Sequence, residues 1–374
     1  LCKFSALLLG PILLVLIALA VWRQRVLTPR AGLVLVAVIT AATWIAAWAA
    51  YGFRFAPSAD AGWLFALDQD PGMRRTLPLM ASLAGWVNGA HLLPNAMIEG
   101  FLHGQGLVQG RPGFLAGSYS YESWWYYFPA AFLLKTPIGL IALFGVGVVA
   151  CARRRRTPSF AGDACAVLPV FLFMAVAMTS SLAIGVRHIL PIYPFVILTA
   201  ALGAESLLRA AATRRGQAIV ALALAVTMLE VGRAWTHPLA FFNTLVGGPS
   251  NGFRFLADSN VDWGQDLVGL RDWMTDEDVA HVNLAYFGTA DPAYHDIAWT
   301  PLWGTTVPGL APDRIGPPVL PGYVAVSVTL LDGVPFQADA RGFYAPLRDL
   351  EPVADIGGSI RVYWIERPWW PVRR

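Results

Sequence analysis

Charge is what this chain has least of: 14% of its residues are Asp, Glu, Lys or Arg, while 56% are hydrophobic and the mean hydropathy is +0.53. Soluble globular chains carry about 25% charged residues, so the scarcity argues against an ordinary soluble enzyme and for a bilayer as the solvent. Cysteine is nearly absent. Cys2, Cys151 and Cys165 all lie in or beside apolar stretches, which excludes a disulfide framework and a cysteine metal site. The formal charge of +3 sits in short arginine clusters between apolar runs, so no nucleic-acid partner is expected. Residue 1 is Leu and an apolar run begins at Phe4, with neither a cytoplasmic leader nor a recognisable signal peptide. The expectation is a fragment lacking its amino-terminal part.

What is present in quantity is apolar sequence of membrane-spanning length. Six stretches read as spans: Phe4 to Trp22, Ala31 to Phe53, Phe128 to Cys151, Ala164 to Val186, Ile189 to Ala204 and Gly216 to Trp235. Most approach the ~20 residues that a bilayer demands. The fifth carries Pro191 and Pro194 and the sixth Glu230 and Arg233, so both depend on neighbouring helices. Arg23, Arg25 and Arg30 follow the first span, Arg153 to Arg156 the third, and Arg209, Arg214 and Arg215 the fifth. Arginines near span ends stay in the cytoplasm, which turns residues 54–127, the Arg187 and His188 turn, and everything after Trp235 outward.

Residues 236–374 read as a second unit. HVNLAYFG from His281, GYVAVSVTLLDG from Gly322 and SIRVYWIE from Ser359 have strand patterning. A helix from Val261 to Met274, capped by Ser259 or Asn260, precedes them, and Thr300 to Pro321 reads as a long loop. The expected fold is therefore an α-helical multi-pass membrane protein over residues 1–235, with an outward loop at 54–127 and a small α/β extracytoplasmic domain over 236–374.

The candidate chemistry gathers on the outward side. Loops as long as 54–127 carry function or structure of their own, and Ala81 to Leu102 has the apolar spacing of one or two helices on the membrane surface. In the run from Tyr121 to Tyr127, Glu122, Trp124 and Trp125 admit two readings: an interfacial aromatic belt, or a sugar or polyprenyl site in which rings stack on sugar faces and the carboxylate accepts hydroxyls. Lys135, two turns inside the third span, either snorkels outward or faces a cavity and meets an anion. Arg187 and His188 run against the positive-inside trend, and the arginine fork suits either phosphate oxygens or an interfacial anchor. Asp258, Asn260, Asp262, Gln265 and Asp266 crowd one helix start. Their oxygens suit capping, sugar hydroxyls or a divalent cation, though the spacing is not that of an EF-hand. Asp291 and His295 close a further loop after a strand.

Five stretches together carry a resemblance: LCKFSALLL from Leu1, SYESWWYYFPAAFLLKTPIG from Ser120, GVRHILPIYP from Gly185, the run from HPLAFFN at His237 to DSNVDWGQDL, and YFGTADPAY from Tyr286. The chain resembles the carboxy-terminal two thirds or so of bacterial GT-C membrane glycosyltransferases of the protein O-mannosyltransferase and aminoarabinose transferase type. The resemblance implies a bacterial inner-membrane enzyme that moves a sugar from a polyprenyl-phosphate carrier to an extracytoplasmic acceptor. It implies that Lys3, Arg187, His188 and Lys135 face the donor phosphate, with Glu122, Trp124 and Trp125 under the covering loop. The catalytic acidic pair of that family belongs to a loop upstream of Leu1, so no carboxylate here inherits its role. A transporter or flippase also places polar residues inside spans, and a noncatalytic carbohydrate-binding subunit would need the outer domain alone. No inverted repeat favours the first of these.

Overall fold

The computed structural model describes residues 8–22, 27–58, 64–108, 110–155, 157, 160–210 and 214–369. Cys2, Lys3, Arg23, Arg25 and Arg156 lie outside them. The chain divides into two compact units, residues 1–111 with 154–173, and residues 112–153 with 174–374.

In the first unit α1 (Leu9–Trp22) and α2 (Pro29–Ala50) are almost wholly apolar. Thr28 caps α2, its hydroxyl accepting the Ala31 N–H at 3.1 Å, with Pro29 at the first helical position, where its missing N–H costs nothing. Asp70 caps α3 (Pro71–Thr76) in the same way through the Met73 N–H. Of the one or two helices expected over Ala81 to Leu102 there are two, α4 (Pro78–Gly89) and α5 (Asn95–Val108). His91 takes a left-handed φ of 52° between them, and Pro94 disfavours helix in the residue before it. Ala84, Ile98 and Leu102 form the core of this helical layer. Glu99 stitches it, its carboxylate accepting the Leu67 N–H at 2.7 Å and the Asn88 amide at 3.0 Å. Burial raises the Glu99 carboxyl above its ordinary range, and the neighbouring Asp68 charge adds to the effect.

The second unit begins with a hairpin, β1 (Gly113–Leu115) and β2 (Ser118–Ser120). Ala116 and Gly117 both have positive φ in its two-residue turn, the twist that such hairpins need. Next come α6 (Tyr127–Lys135) and α7 (Ile138–Arg153), and α8 (Phe160–Ala177) ends in this unit after beginning in the first. Then follow α9 (Tyr193–Ala210) and α10 (Arg214–Arg233).

Among the described residues three helices, Pro29–Ala50, Leu190–Arg209 and Arg214–Arg233, are long and apolar enough to cross a membrane. The pair α6 and α7 would make a fourth. The expectation of six is thus met in part, because Leu9–Trp22 and Gly162–Ala177 are shorter apolar helices. The expected third span is not straight either: α6 and α7 meet at 119°. Pro137 has no N–H to continue the helix and Thr136 is extended at ψ 136°.

Glycines set how closely α7, α9 and α10 approach, as small residues do between membrane helices. A Cβ on Gly147 would lie 1.8 Å from the Thr199 carbonyl oxygen, one on Gly203 2.1 Å from that of Leu143, and one on Gly139 1.9 Å from that of Ala223. Leu143, Ala200, Val220 and Ala223 fill the seam.

Beyond α10 come the one-turn α11 (Pro249–Gly252), then α12 (Leu267–Asp276) and a five-stranded sheet. The sheet runs β4 (Trp299–Pro301), β3 (Val282–Ala285), β5 (Gly322–Ser327), β7 (Ile360–Ile365), β6 (Ala354–Ile356). β3 is parallel to both its neighbours, and β7 is antiparallel to β5 and β6. Leu267, Leu270 and Met274 lay α12 on Val282, Leu284, Ala325 and Val362. The three expected strands are present. The helix starts at Leu267 rather than Val261, because Asp258–Asn260 forms a separate 3-10 turn and Gly264 takes φ 73°.

Gly147→Val is expected to force α7 and α9 apart at backbone, where no side chain can swing away. Overpacking of this kind costs about 1–3 kcal/mol or more, so the midpoint of thermal unfolding in detergent should fall by several degrees. An unchanged midpoint would contradict this packing.

Candidate functional site

The site grows out of the break at Thr136 and Pro137. A helix end leaves carbonyls without partners and a helix start leaves N–H groups without them, and here both occur amid apolar side chains. Asn243 answers the first need. Its amide donates to the carbonyls of Leu133 at 2.6 Å and Thr136 at 2.8 Å, and its own N–H donates to Leu134 at 3.0 Å. Glu230 answers the second: one carboxylate oxygen accepts the Ile138 N–H at 2.8 Å at the positive end of α7. The other oxygen accepts the Thr244 N–H and hydroxyl at 2.9 and 2.8 Å. The intramembrane Glu230 that weakens the sixth span in the sequence is thus an anchor for the segment after it.

Lys135, the last residue of α6, points into that segment. Its ammonium donates to the carbonyl of Leu239 at 2.7 Å and to that of Asn260, and lies 4.4 Å from the Phe242 ring centre. Lysine carries three N–H donors; among the described residues the third has no acceptor. Asn260 fixes the other side of the joint. It accepts the Val186 N–H at 2.9 Å and donates to the Tyr127 hydroxyl at 3.0 Å and the Ala257 carbonyl at 3.1 Å. Ser259 donates to the Ile184 carbonyl, and a Cβ on Gly185 would meet its hydroxyl at 2.4 Å.

Beside Lys135 opens a cavity of about 570 Å³. Its walls are Pro137 at the break, Val186, Leu190 and Tyr193 before and at the start of α9, Val231 and Ala234 at the end of α10, and Trp235, Pro238 and Phe241 beyond it. Tyr193 turns its hydroxyl to Thr136 at 2.8 Å, so the wall is apolar except for the ammonium. Leu190 and Trp235 are 53% and 78% exposed, which places them at an open rim.

The expected site residues distribute unevenly. Arg187 stacks 4.7 Å from the exposed Trp263 ring, and both Arg187 and Asp258 lie within electrostatic reach of the Tyr127 hydroxyl. His188 sits edge-on to Phe128 at 6.4 Å. Lys135, Arg187, His188, Asp258 and Asn260 therefore gather around α6 and the Val186 turn. Glu122 is exposed on the link after β2, Trp124 is half-buried against Gly113, and Trp125 is 67% exposed. Gln265 is exposed and bonds Asp266 at 2.9 Å. Asn260 and Asp262 are completely buried and face protein rather than solvent. Lys3 lies outside the described residues.

Asn243, Glu230 and the apolar rim were not singled out as site residues in the sequence. An Asn straight after the apolar FFN run and a Glu inside a span are the signals that point to them, since buried polar groups need partners. Among the described residues no three His, Cys, Asp or Glu side chains gather to hold a metal ion. Comparison of the chain with protein-family models, curated proteins and solved structures gives no match.

The sheet domain carries two carboxyls displaced by burial. Asp262 is pushed up to about 7, although the Gly264 and Thr329 N–H groups and the Ser327 hydroxyl pull the other way. Asp332 is pushed up to about 8 against the pull of Arg348, Arg361 and Arg254. Both ionise near 4 in an unfolded chain, so the folded state holds more protons between about 4 and 8. Their contribution to stability is then greatest in acid and is lost as pH rises through about 7 and 8. Asp262→Asn and Asp332→Asn should each flatten the decline of the unfolding midpoint between pH 5 and pH 8.5. A slope identical to the parent's would count against these assignments.

Proposed function

We propose that the cavity beside Lys135 binds a lipid with a phosphate head and a long apolar tail. On this reading the chain is a membrane glycosyltransferase using a polyprenyl-phosphate sugar as donor, acting in a bacterial inner membrane with its sheet domain extracytoplasmic. The observation that carries it is one buried ammonium with a donor to spare at the wall of an apolar, open-rimmed cavity. A phosphate leaving group gains charge as it departs, and fixed cations at that point lower the barrier. A polyprenyl chain suits the apolar remainder of the wall. Arg187 stands on the same turn as Val186 and supplies a second cation of the planar form that suits phosphate oxygens. The sugar and its acceptor would approach from the side of Asp258, Glu122, Trp124 and Trp125, where rings and a carboxylate are accessible. The base that takes the acceptor proton is a carboxylate of the class the resemblance implies, and none of this chain's residues is given that part.

The test uses the full-length protein in vesicles, with a photoactivatable polyprenyl phosphate and with radiolabelled polyprenyl-phosphate mannose and aminoarabinose. Lys135→Met should lower label transfer about 10²-fold, the scale of losing one charge-stabilising donor. Because Lys135 also tethers two carbonyls, Leu190→Trp serves as the second variant: it fills the rim without touching the tether and should abolish crosslinking to the cavity. Undiminished crosslinking in Leu190→Trp, or transfer unaffected by Lys135→Met, would overturn the proposal. Lipid crossing the bilayer without sugar transfer would favour a flippase instead.

A further inference from the structure

His237 follows Trp235 and precedes Pro238, two walls of the cavity, and lies two residues before the Leu239 carbonyl that holds Lys135. Its Nδ1 is 3.0 Å from a carboxylate oxygen of Asp266. That carboxylate is itself fixed, since its other oxygen accepts the Ser359 hydroxyl at 2.6 Å and the Gln265 amide at 2.9 Å. A Cβ on Gly357 would come within 2.4 Å of it, so the turn between β6 and β7 closes over it with no room to spare. The two partners differ sharply in exposure: the Asp266 side chain is 6% exposed and that of His237 40%. The ring is thus held by one nitrogen and shows the other, Nε2, to the outside, with no partner among the described residues. A buried carboxylate that orients a half-exposed imidazole is the arrangement by which proteins position a proton-transfer group.

We propose that His237, positioned by Asp266, is the proton donor to the phosphate that leaves the lipid carrier. This inference rests on the reading of the cavity as a polyprenyl-phosphate site. The acceptor oxygen bonds to the anomeric carbon as the bond from that carbon to the phosphate oxygen breaks, and the electron pair goes with the phosphate. The acceptor's proton passes to a carboxylate base. The donor is a phosphodiester with one negative charge and the product is a phosphomonoester, whose second ionisation lies near 6, so a second charge appears on the departing group. His237, with Nδ1–H on Asp266 and Nε2–H outward, delivers the proton that cancels this charge, while Lys135 holds the first. Asp262 and Tyr286 are titratable groups within electrostatic reach of Asp266. Asp266 is a positioning residue, because it acts only through the ring.

The experiment compares the parent with His237→Gln and Asp266→Asn, all full-length in vesicles, using radiolabelled polyprenyl-phosphate mannose and its phosphorothioate analogue, whose leaving group is more acidic. With the ordinary donor, His237→Gln should lower the turnover rate about 10²-fold with little change in KM, and its pH profile should lose the limb that falls toward alkaline pH. Asp266→Asn should shift that limb. The defect of His237→Gln should shrink with the phosphorothioate donor, a response that a merely structural role would not give. A loss equal for both donors, or a pH profile unchanged in either variant, would overturn the assignment. Should the parent bind no polyprenyl phosphate in the crosslinking test, the reading of the cavity fails. Should it bind and transfer while His237→Gln matches it, this inference alone fails.

Discussion

A helix broken inside apolar surroundings is the constraint on which the second unit depends. Where Pro137 stops α6 and Ile138 restarts the helix, carbonyls and an N–H are stranded with no water to take them, and each stranded group costs several kcal/mol in an apolar medium. Residues from 230 to 260 are laid across the break to supply partners: Glu230 to the Ile138 N–H, Asn243 to the Leu133 and Thr136 carbonyls. Lys135 completes the joint by donating in the opposite direction, to the Leu239 carbonyl and that of Asn260. Because the break is bridged rather than filled, the space beside it stays open as the cavity. The residues that secure the joint are therefore also those that place an ammonium at the cavity wall.

The same constraint explains which parts of the fold the sequence made legible. Apolar runs of span length and alternating strands speak for themselves, and Pro29–Ala50, Arg214–Arg233, Gly322–Ser327 and Ile360–Ile365 lie close to where periodicity puts them. The bend did not, although Pro137 stands in the sequence, because a proline inside an apolar run is equally compatible with a mild kink; its 119° angle depends on Glu230 and Asn243, far along the chain. Glycine contacts are hidden for the same reason: nothing local tells Gly147 that Thr199 lies against it. The start of α12 was misplaced because Asp258, Asn260 and Asp262 look like capping residues, whereas Asn260 is spent on Val186 and Tyr127.

The site was half legible. Lys135 and Arg187 stood out because cations are costly in those positions, and the structure puts both beside the Val186 turn. The pair His237 and Asp266 did not stand out, since 29 residues separate them and each has a bland local role, one beside a proline and one at a helix start. Only the packing of β7 and its turn, which brings Ser359 and Gly357 onto the Asp266 carboxylate, distinguishes that acid from Asp258 a few residues earlier.

Scarcity of charge makes the few buried charges informative about one another. In this unit they are matched mainly by backbone groups: Lys135 by two carbonyls, Glu230 by two N–H groups and a hydroxyl, Asp262 by the Gly264 N–H. A backbone dipole steadies a charge without cancelling it, whereas a counter-ion at contact would leave little field for anything else. Lys135 is thus held by two carbonyls with no carboxylate among its hydrogen-bond partners, which a lysine–glutamate pair in its place would not allow. That choice of partner would suit the proposed phosphate-binding wall, where an anion is met and released again, better than a residue whose sole task is to hold two helices together.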